Sequence, residues 1–114
     1  MEKQSSFGPL ILTLDIGTTS TRAMLFDGTA QALPGAVAQV ANHLNTTHDG
    51  GAEFDAEQLF DTVVSAIDQL LAQTEIGEAQ IAAVAMDTFV GNILGVDESF
   101  RPQTPVFTYA DTRN

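Results

Sequence analysis

Apolar residues in the first third of the chain fall into three short runs separated by turn signals. The first run, Leu10–Leu14, is almost continuous, which is typical of a strand covered on both faces. The second, Ala23–Phe26, stops at Asp27-Gly28, and the third, Ala36–Ala41, follows Pro34-Gly35. Short connections between successive strands favour antiparallel pairing. The pattern therefore predicts a three-stranded antiparallel meander.

The next segment has helical periodicity and a recognisable start. Asp55 is a good N-cap residue, and Gln58, three positions later, completes a capping box. Phe54 and Leu59 have the spacing of a hydrophobic staple, and Gly77 offers a stop. The predicted apolar stripe comprises Leu59, Phe60, Val63, Val64, Ile67, Leu70 and Leu71. We interpret this helix as structural.

A fourth apolar run, Ile81–Met86, follows the helix and predicts a second buried strand. A strand, a helix and another strand in one sheet form a right-handed crossover, which places Ile81–Met86 parallel to Leu10–Leu14. Asn92–Val96 is a further strand candidate, and Val106–Tyr109 is expected to be extended. The predicted fold class is α/β, with a mixed sheet. Because one helix covers only one sheet face, we expect the domain to be incomplete.

Charge and composition narrow the function classes. The chain has 114 residues, a net charge of -11 and no cysteine. An acidic surface repels phosphate backbones, so we expect no nucleic-acid partner. No apolar run approaches the roughly 20 residues that a membrane span needs, and the N-terminus lacks the features of a signal peptide. These observations predict a cytoplasmic protein.

The most informative polar segment follows the first strand. Asp15 lies at the predicted strand end, and it is followed by Gly17, by four consecutive hydroxyl residues (Thr18, Thr19, Ser20 and Thr21) and by Arg22. Gly17 is expected to adopt a positive φ, and turn N–H groups with hydroxyls can bind phosphate oxygens. Asp15 could hold Mg²⁺, which prefers oxygen ligands. An ordinary hairpin turn explains the same residue types equally well.

Other polar residues leave alternatives open. Glu53 and Asp55 suit the start of a helix, where the dipole favours negative charge. Asp87 either lines a cleft at a strand end or begins a turn. From residue types alone, Asp111 and Arg113 are expected to pair with each other at the surface.

Three segments together resemble the FGGY family of carbohydrate kinases. Leu10–Asp27 is similar to the family's first phosphate-binding motif, a D-x-G-T-[TS]-[ST] hairpin after an apolar strand. Val84–Asp97 resembles its strand, sugar-contact loop and strand. Tyr109–Arg113 resembles its W-x-D-x-R element, with tyrosine in the aromatic position. The resemblance implies the RNase H-like fold of the actin and hexokinase ATPases, and the use of ATP and Mg²⁺ on a sugar or polyol.

The resemblance also implies roles for individual residues. Asp15 corresponds to the Mg²⁺-associated carboxylate. The ATP phosphates would be bound by Gly17, Thr18, Thr19, Ser20 and Arg22. The sugar would be bound near Val90, Gly91, Tyr109, Asp111 and Arg113. Where this chain has Val90-Gly91, glycerol kinases carry Arg-Glu and xylulose kinases carry Met-His close by. Those two substrates are therefore disfavoured, and a gluconate-kinase-like member is slightly favoured.

In the family, the general base and most of the adenine site come later than Asn114. We therefore expect residues 9–114 to be the N-terminal part of a first kinase domain, and residues 1–8 to be a disordered or extended tail. Alone, this part should be inactive and able to self-associate through exposed sheet surface. Two other functions compete: a two-metal nuclease using Asp15, Glu53 and Asp87, and a non-catalytic nucleotide- or sugar-binding regulatory domain.

Overall fold

The computed structural model describes residues 8–77 and 80–113. Within them the chain forms seven strands and one long helix, in the order β1 (Leu10–Ile16), β2 (Ser20–Phe26), β3 (Ala32–Ala41), β4 (Asn45–Thr46), β5 (Ala52–Phe54), α1 (Ala56–Gln73), β6 (Ile81–Thr88) and β7 (Val106–Phe107). Apart from Gly8, the predicted N-terminal tail lies outside the described residues.

The main sheet has the strand order β3-β2-β1-β6. β1 pairs antiparallel with β2, and β2 pairs antiparallel with β3, so the predicted meander is confirmed. β6 returns parallel to β1 after the helix, which confirms the predicted crossover. The sheet is mixed, as the sequence indicated.

β3 begins earlier than the sequence predicts. Pro34 and Gly35 lie inside the strand rather than before it, and Gly35 has a φ of 75°. The pairing register shifts opposite them, between Met24 and Phe26 of β2. An edge strand tolerates proline and an irregular register because one side of it has no ladder to break.

The core lies between α1 and one face of the sheet. The buried residues of this cluster are Leu12, Leu14, Ala23, Leu25, Ala36, Ala38, Ala66 and Leu70. The prediction that both faces of β1 are covered is wrong: Thr13 is half-buried and Asp15 is exposed on the opposite face. The prediction that β6 is buried is also wrong, because Val84 and Met86 are 61% and 63% exposed. α1 packs on β2 and β3 and leaves β6 uncovered.

The start of α1 is as predicted, and its predicted apolar stripe is confirmed in part, because Val63, Ile67 and Leu70 pack in or against the core. The Asp55 side chain accepts a hydrogen bond from the Gln58 amide at 2.9 Å, which confirms the N-cap. The most buried positions are Thr62, Ala66 and Leu70, whereas Phe60 is 67% exposed. The sheet presents small alanines here, so small helix residues pack most closely against it.

A second, small sheet has the strand order β4-β5-β7. The strand predicted at Asn92–Val96 does not form. Its residues make two isolated bridges instead, from Ile93 to Phe107 and from Val96 to Pro102. Asp97 explains the interruption, because its carboxylate accepts hydrogen bonds from the Ser99 and Arg101 amides and turns the chain.

The helical part of the described chain contains no segment long and apolar enough to cross a membrane.

Candidate functional site

Two carboxylates meet where β1 and β6 end. Because these strands are parallel, their carboxyl ends lie at the same edge of the sheet, and Asp15 is the register neighbour of Asp87. A hydrogen bond between the two carboxyl groups, together with the charge of Asp15, raises the pKa of Asp87. Of the two alternatives for Asp87, the strand-end position beside a cleft is confirmed.

The open face of the sheet forms a shallow cavity of about 370 Å³ beside this pair. Its lining includes Asp15 and Asp87, and also Arg22 from the neighbouring strand β2. The arrangement places two carboxylates and one guanidinium in a single solvent-accessible depression. The sequence analysis grouped Asp87 with Asp15 only in the competing nuclease hypothesis, and the parallel register of β1 and β6 is what brings the two together.

The turn between β1 and β2 is closed by a hydrogen bond in which the Gly17 amide donates to the Ser20 carbonyl at 2.9 Å. The amides of Thr18 and Thr19 have no acceptor within the described part of the chain. Backbone N–H groups are strong donors that are almost always paired when buried, so two unpaired ones at an accessible turn are available to an anion.

Gly17 is needed at this turn for a different reason from the predicted one. It does not have the positive φ that we expected. A Cβ atom here would lie 3.2 Å from the Ser20 carbonyl oxygen, which is tighter than most real Cβ contacts. The glycine therefore permits close approach of the two sides of the turn.

Three of the five residues predicted to contact sugar share a second cavity of about 330 Å³. Gly91, Asp111 and Arg113 line it. Val90 and Tyr109 do not, and they are 81% and 66% exposed. Gly91 has a φ of 72°, and a Cβ atom on it would lie 3.0 Å from that of Tyr109, so this position favours glycine.

An ion-pair network joins the second cavity to the small sheet. Arg113 Nη2 donates to Asp111 Oδ2 and to Glu53 Oε2, both at 2.7 Å. Asp111 Oδ2 also accepts a hydrogen bond from the Ala52 amide at 3.0 Å. The pairing of Asp111 with Arg113 expected from the residue types is confirmed. The interpretation of Glu53 as a helix-start residue is wrong, because it lies in β5 and faces Arg113.

This network changes the titration of its members. The hydrogen bond from the Arg113 guanidinium holds the pKa of Asp111 far below its usual range, and the hydrogen bond from the Ala52 amide lowers it further. The hydrogen bond to Asp111 raises the pKa of Arg113, and the hydrogen bond to Glu53 adds to this effect. The network also occupies Glu53, so the nuclease constellation of Asp15, Glu53 and Asp87 is not assembled. Among residues 8–77 and 80–113, no group of three or more His, Cys, Asp or Glu side chains could hold a metal ion.

Thr108 is a contributor that the sequence does not reveal. It is buried, and its hydroxyl donates to the Ala52 carbonyl at 2.9 Å. The backbone amide of Thr108 donates to the same carbonyl at 3.1 Å. These bonds fix the segment that carries Tyr109 and Asp111 against β5.

We expect Asp111→Asn to lower the stability of the fold near pH 7. The substitution should also make the stability fall less as the pH is lowered. Asp111 has a lower pKa in the folded chain, so its contribution is present above its unfolded pKa and is lost as pH falls through the folded value. Thermal melts from pH 7 to pH 2 should show a smaller drop for Asp111→Asn than for the unsubstituted chain. Asp68→Asn, on the exposed face of α1, is the matched control. Parallel curves for all three proteins would contradict the role of Asp111.

Comparison with known proteins places this geometry in a family. Residues 10–114 match the N-terminal domain of the FGGY family of carbohydrate kinases. The chain is 29% identical over 104 residues to a gluconokinase from Bacillus subtilis, covering 91% of this chain and 20% of that protein. It is 38% identical over 76 residues to a glycerol kinase from Brucella ovis, covering 67% of this chain and 15% of that protein.

Comparison of the fold with solved structures also finds carbohydrate kinases. The structure of a gluconate kinase from Lactobacillus acidophilus superimposes with a TM-score of 0.78 and 28% identity, over 90% of this chain and 20% of that one. The chain thus spans about a fifth of the length of these relatives. The match covers both cavities, the β1–β2 turn and the Asp111–Arg113 segment. The chain belongs to the FGGY family of carbohydrate kinases, within its N-terminal domain.

Proposed function

We propose that the complete protein is a carbohydrate kinase that transfers the γ-phosphate of ATP to a hydroxyl of a sugar or polyol. The observation that carries this proposal is the β1–β2 turn, where the free amides of Thr18 and Thr19 lie next to the carboxylate pair of Asp15 and Asp87. Family membership supplies the reaction class. That residues 9–114 form the first part of a larger kinase domain remains a prediction.

The turn binds phosphate by backbone donation. In this proposal the Thr18 and Thr19 amides and the nearby hydroxyls of Thr18, Thr19 and Ser20 donate to the β- and γ-phosphate oxygens. Arg22, in the adjacent cavity, adds positive charge on the same side of the sheet. Fixed donors of this kind stabilise charge on the transferring phosphoryl group without reorganising during the reaction.

The carboxylates fit a magnesium ion. Mg²⁺ takes oxygen ligands and usually keeps several of its waters, and Asp15 offers carboxylate oxygen at an accessible strand end. When bound with ATP, Mg²⁺ neutralises phosphate charge. Asp15 would hold it directly or through water.

The second cavity is the proposed sugar site. Asp111 and Arg113 would present carboxylate and guanidinium groups to substrate hydroxyls, held in place by Glu53 and the Ala52 amide. Gly91 would leave space for the substrate, with Val90 and Tyr109 at the rim. Because Val90 and Gly91 supply no polar side chain, we favour an acceptor other than glycerol, of the gluconate type.

A coupled assay with purified complete protein tests the proposal. With MgATP, we expect ADP release that depends on a sugar acid or sugar acceptor and is at least about tenfold faster with gluconate than with glycerol. The comparison should include xylulose and an acceptor-free control. ATP binding without acceptor-dependent ADP release across a broad sugar panel would contradict the kinase and favour a regulatory binding domain.

A further inference from the structure

One side chain outside the β1–β2 turn, that of Asn42, is hydrogen-bonded to the backbone of the turn. Asn42 follows β3, the strand next to the turn, and is half-buried. Its Nδ2 donates to the Gly17 carbonyl at 2.6 Å, and its backbone amide donates to the Thr19 carbonyl at 2.9 Å. A single residue thus binds carbonyl groups at two positions of the turn.

Asn42 is itself fixed by a fully buried neighbour. The Thr21 hydroxyl donates to Asn42 Oδ1 at 3.1 Å, and Thr21 is 0% exposed at the start of β2. With its Oδ1 accepting from Thr21, the Asn42 amide group has to direct its Nδ2 toward Gly17. The bonds form one connected chain from Thr21 through Asn42 to Gly17.

We propose that Asn42 is a positioning residue for ATP, whose side chain fixes the carbonyl of Gly17 so that the amide of Thr18 faces the phosphates. Each peptide unit is planar, so fixing the carbonyl of Gly17 also fixes the N–H of Thr18. This inference rests on the proposed function. It concerns a residue for which the sequence motif and the family resemblance assign no role.

The hydrogen-bond chain predicts graded effects on ATP binding. Asn42→Ala removes both side-chain bonds and is expected to weaken ATP binding about tenfold. Asn42→Asp keeps an acceptor for Thr21 but turns an oxygen toward the Gly17 carbonyl, so it should weaken binding at least as much. Thr21→Val should weaken binding by a smaller factor, and Thr21→Ser should restore it because the hydroxyl remains.

Calorimetric titration of the complete protein with MgATP measures these effects, with Asn45→Ala as the matched control. Asn45 is an exposed asparagine whose side chain makes no hydrogen bond within the described residues. The KM for ATP should rise in Asn42→Ala while the KM for the sugar stays unchanged. A general structural defect would instead lower the melting temperature and leave ATP affinity intact at 25 °C.

Amide hydrogen exchange tests whether Asn42 holds the β1–β2 turn in place, independently of the reaction. Exchange of the Gly17 amide, which donates to the Ser20 carbonyl, should accelerate in Asn42→Ala and not in Asn45→Ala, whatever ligand the turn binds. Unchanged exchange, or ATP affinity within twofold of the wild type in folded Asn42→Ala, would overturn the proposal. If Asn42→Ala does not fold, equal affinities of Thr21→Val and Thr21→Ser would overturn it. If exchange is faster in Asn42→Ala but the wild type itself binds no ATP, the structural role of Asn42 holds and the proposed kinase function is contradicted.

Discussion

Replacing Asp15 by asparagine is expected to lower kcat of the complete protein by about 10²–10³-fold and to leave the protein folded. The loss follows from the proposed role of Asp15 in positioning Mg²⁺ against the phosphates. Asparagine keeps the size of the side chain and removes the charge. Asp15 is also the register neighbour of Asp87, so the substitution removes repulsion between two like charges. The melting temperature should therefore stay the same or rise.

Activity at saturating ATP and increasing Mg²⁺, compared with a thermal melt, measures both parts of this expectation. Asp61→Asn removes the same charge on the exposed side of α1 and serves as the control. Near-normal turnover of Asp15→Asn at saturating Mg²⁺ would rule out the role. A large fall in melting temperature would show that Asp15 is structural.

The 114-residue chain by itself is expected to give no sugar phosphate above background. It contains only the proposed phosphate contacts at the β1–β2 turn, while its relatives are about five times longer. Positioning by both walls of a closed cleft and exclusion of water supply much of the acceleration in such transfers. A positioned general base typically contributes a further ~10²–10⁴-fold. Sustained, protein-dependent product from a contaminant-free sample would contradict this expectation.

We also expect the isolated chain to self-associate. β6 is an edge strand of the main sheet, and its Val84 and Met86 side chains are largely exposed. Unpaired strand edges with apolar side chains readily pair with a second copy. Sedimentation velocity at several concentrations should show dimers or larger species. Val84→Lys should shift them toward monomer, whereas Gln39→Lys in β3 should not.

The main sheet was predictable because its signals are local. Apolar runs and turn residues define β1, β2 and β6, and the capping residues Asp55 and Gln58 define the start of α1. These features depend on backbone hydrogen bonds and on neighbouring side chains within a few residues. The order and direction of strands then follow from the lengths of their connections.

The burial pattern was less predictable because it depends on what covers each face. An apolar run such as Ile81–Met86 reads as buried, but α1 does not reach β6, and Val84 remains exposed. Ala66 belongs to the buried helix face because it packs in one cluster with the alanines of the sheet, which periodicity alone does not reveal.

The polar partners were the hardest part to predict. Asp15 and Asp87 are 72 positions apart, and Glu53 and Arg113 are 60 apart. These two pairs can be predicted only when the register of β1 and β6 and the arrangement of the small sheet are known. The motif singled out the turn residues of the candidate site, and the tertiary structure shows which side chains support them.

The small sheet has a consequence for the order in which the chain folds during synthesis. β1, β2, β3 and α1 all lie between residues 10 and 73 and share one core, so they can assemble as soon as residue 73 has left the ribosome. β5 pairs with β4 early, but its second partner strand, β7, comes more than 50 residues later, and so does Arg113, the ion-pair partner of Glu53. The β1–β2 turn should therefore acquire its native shape on the ribosome before the proposed sugar pocket exists.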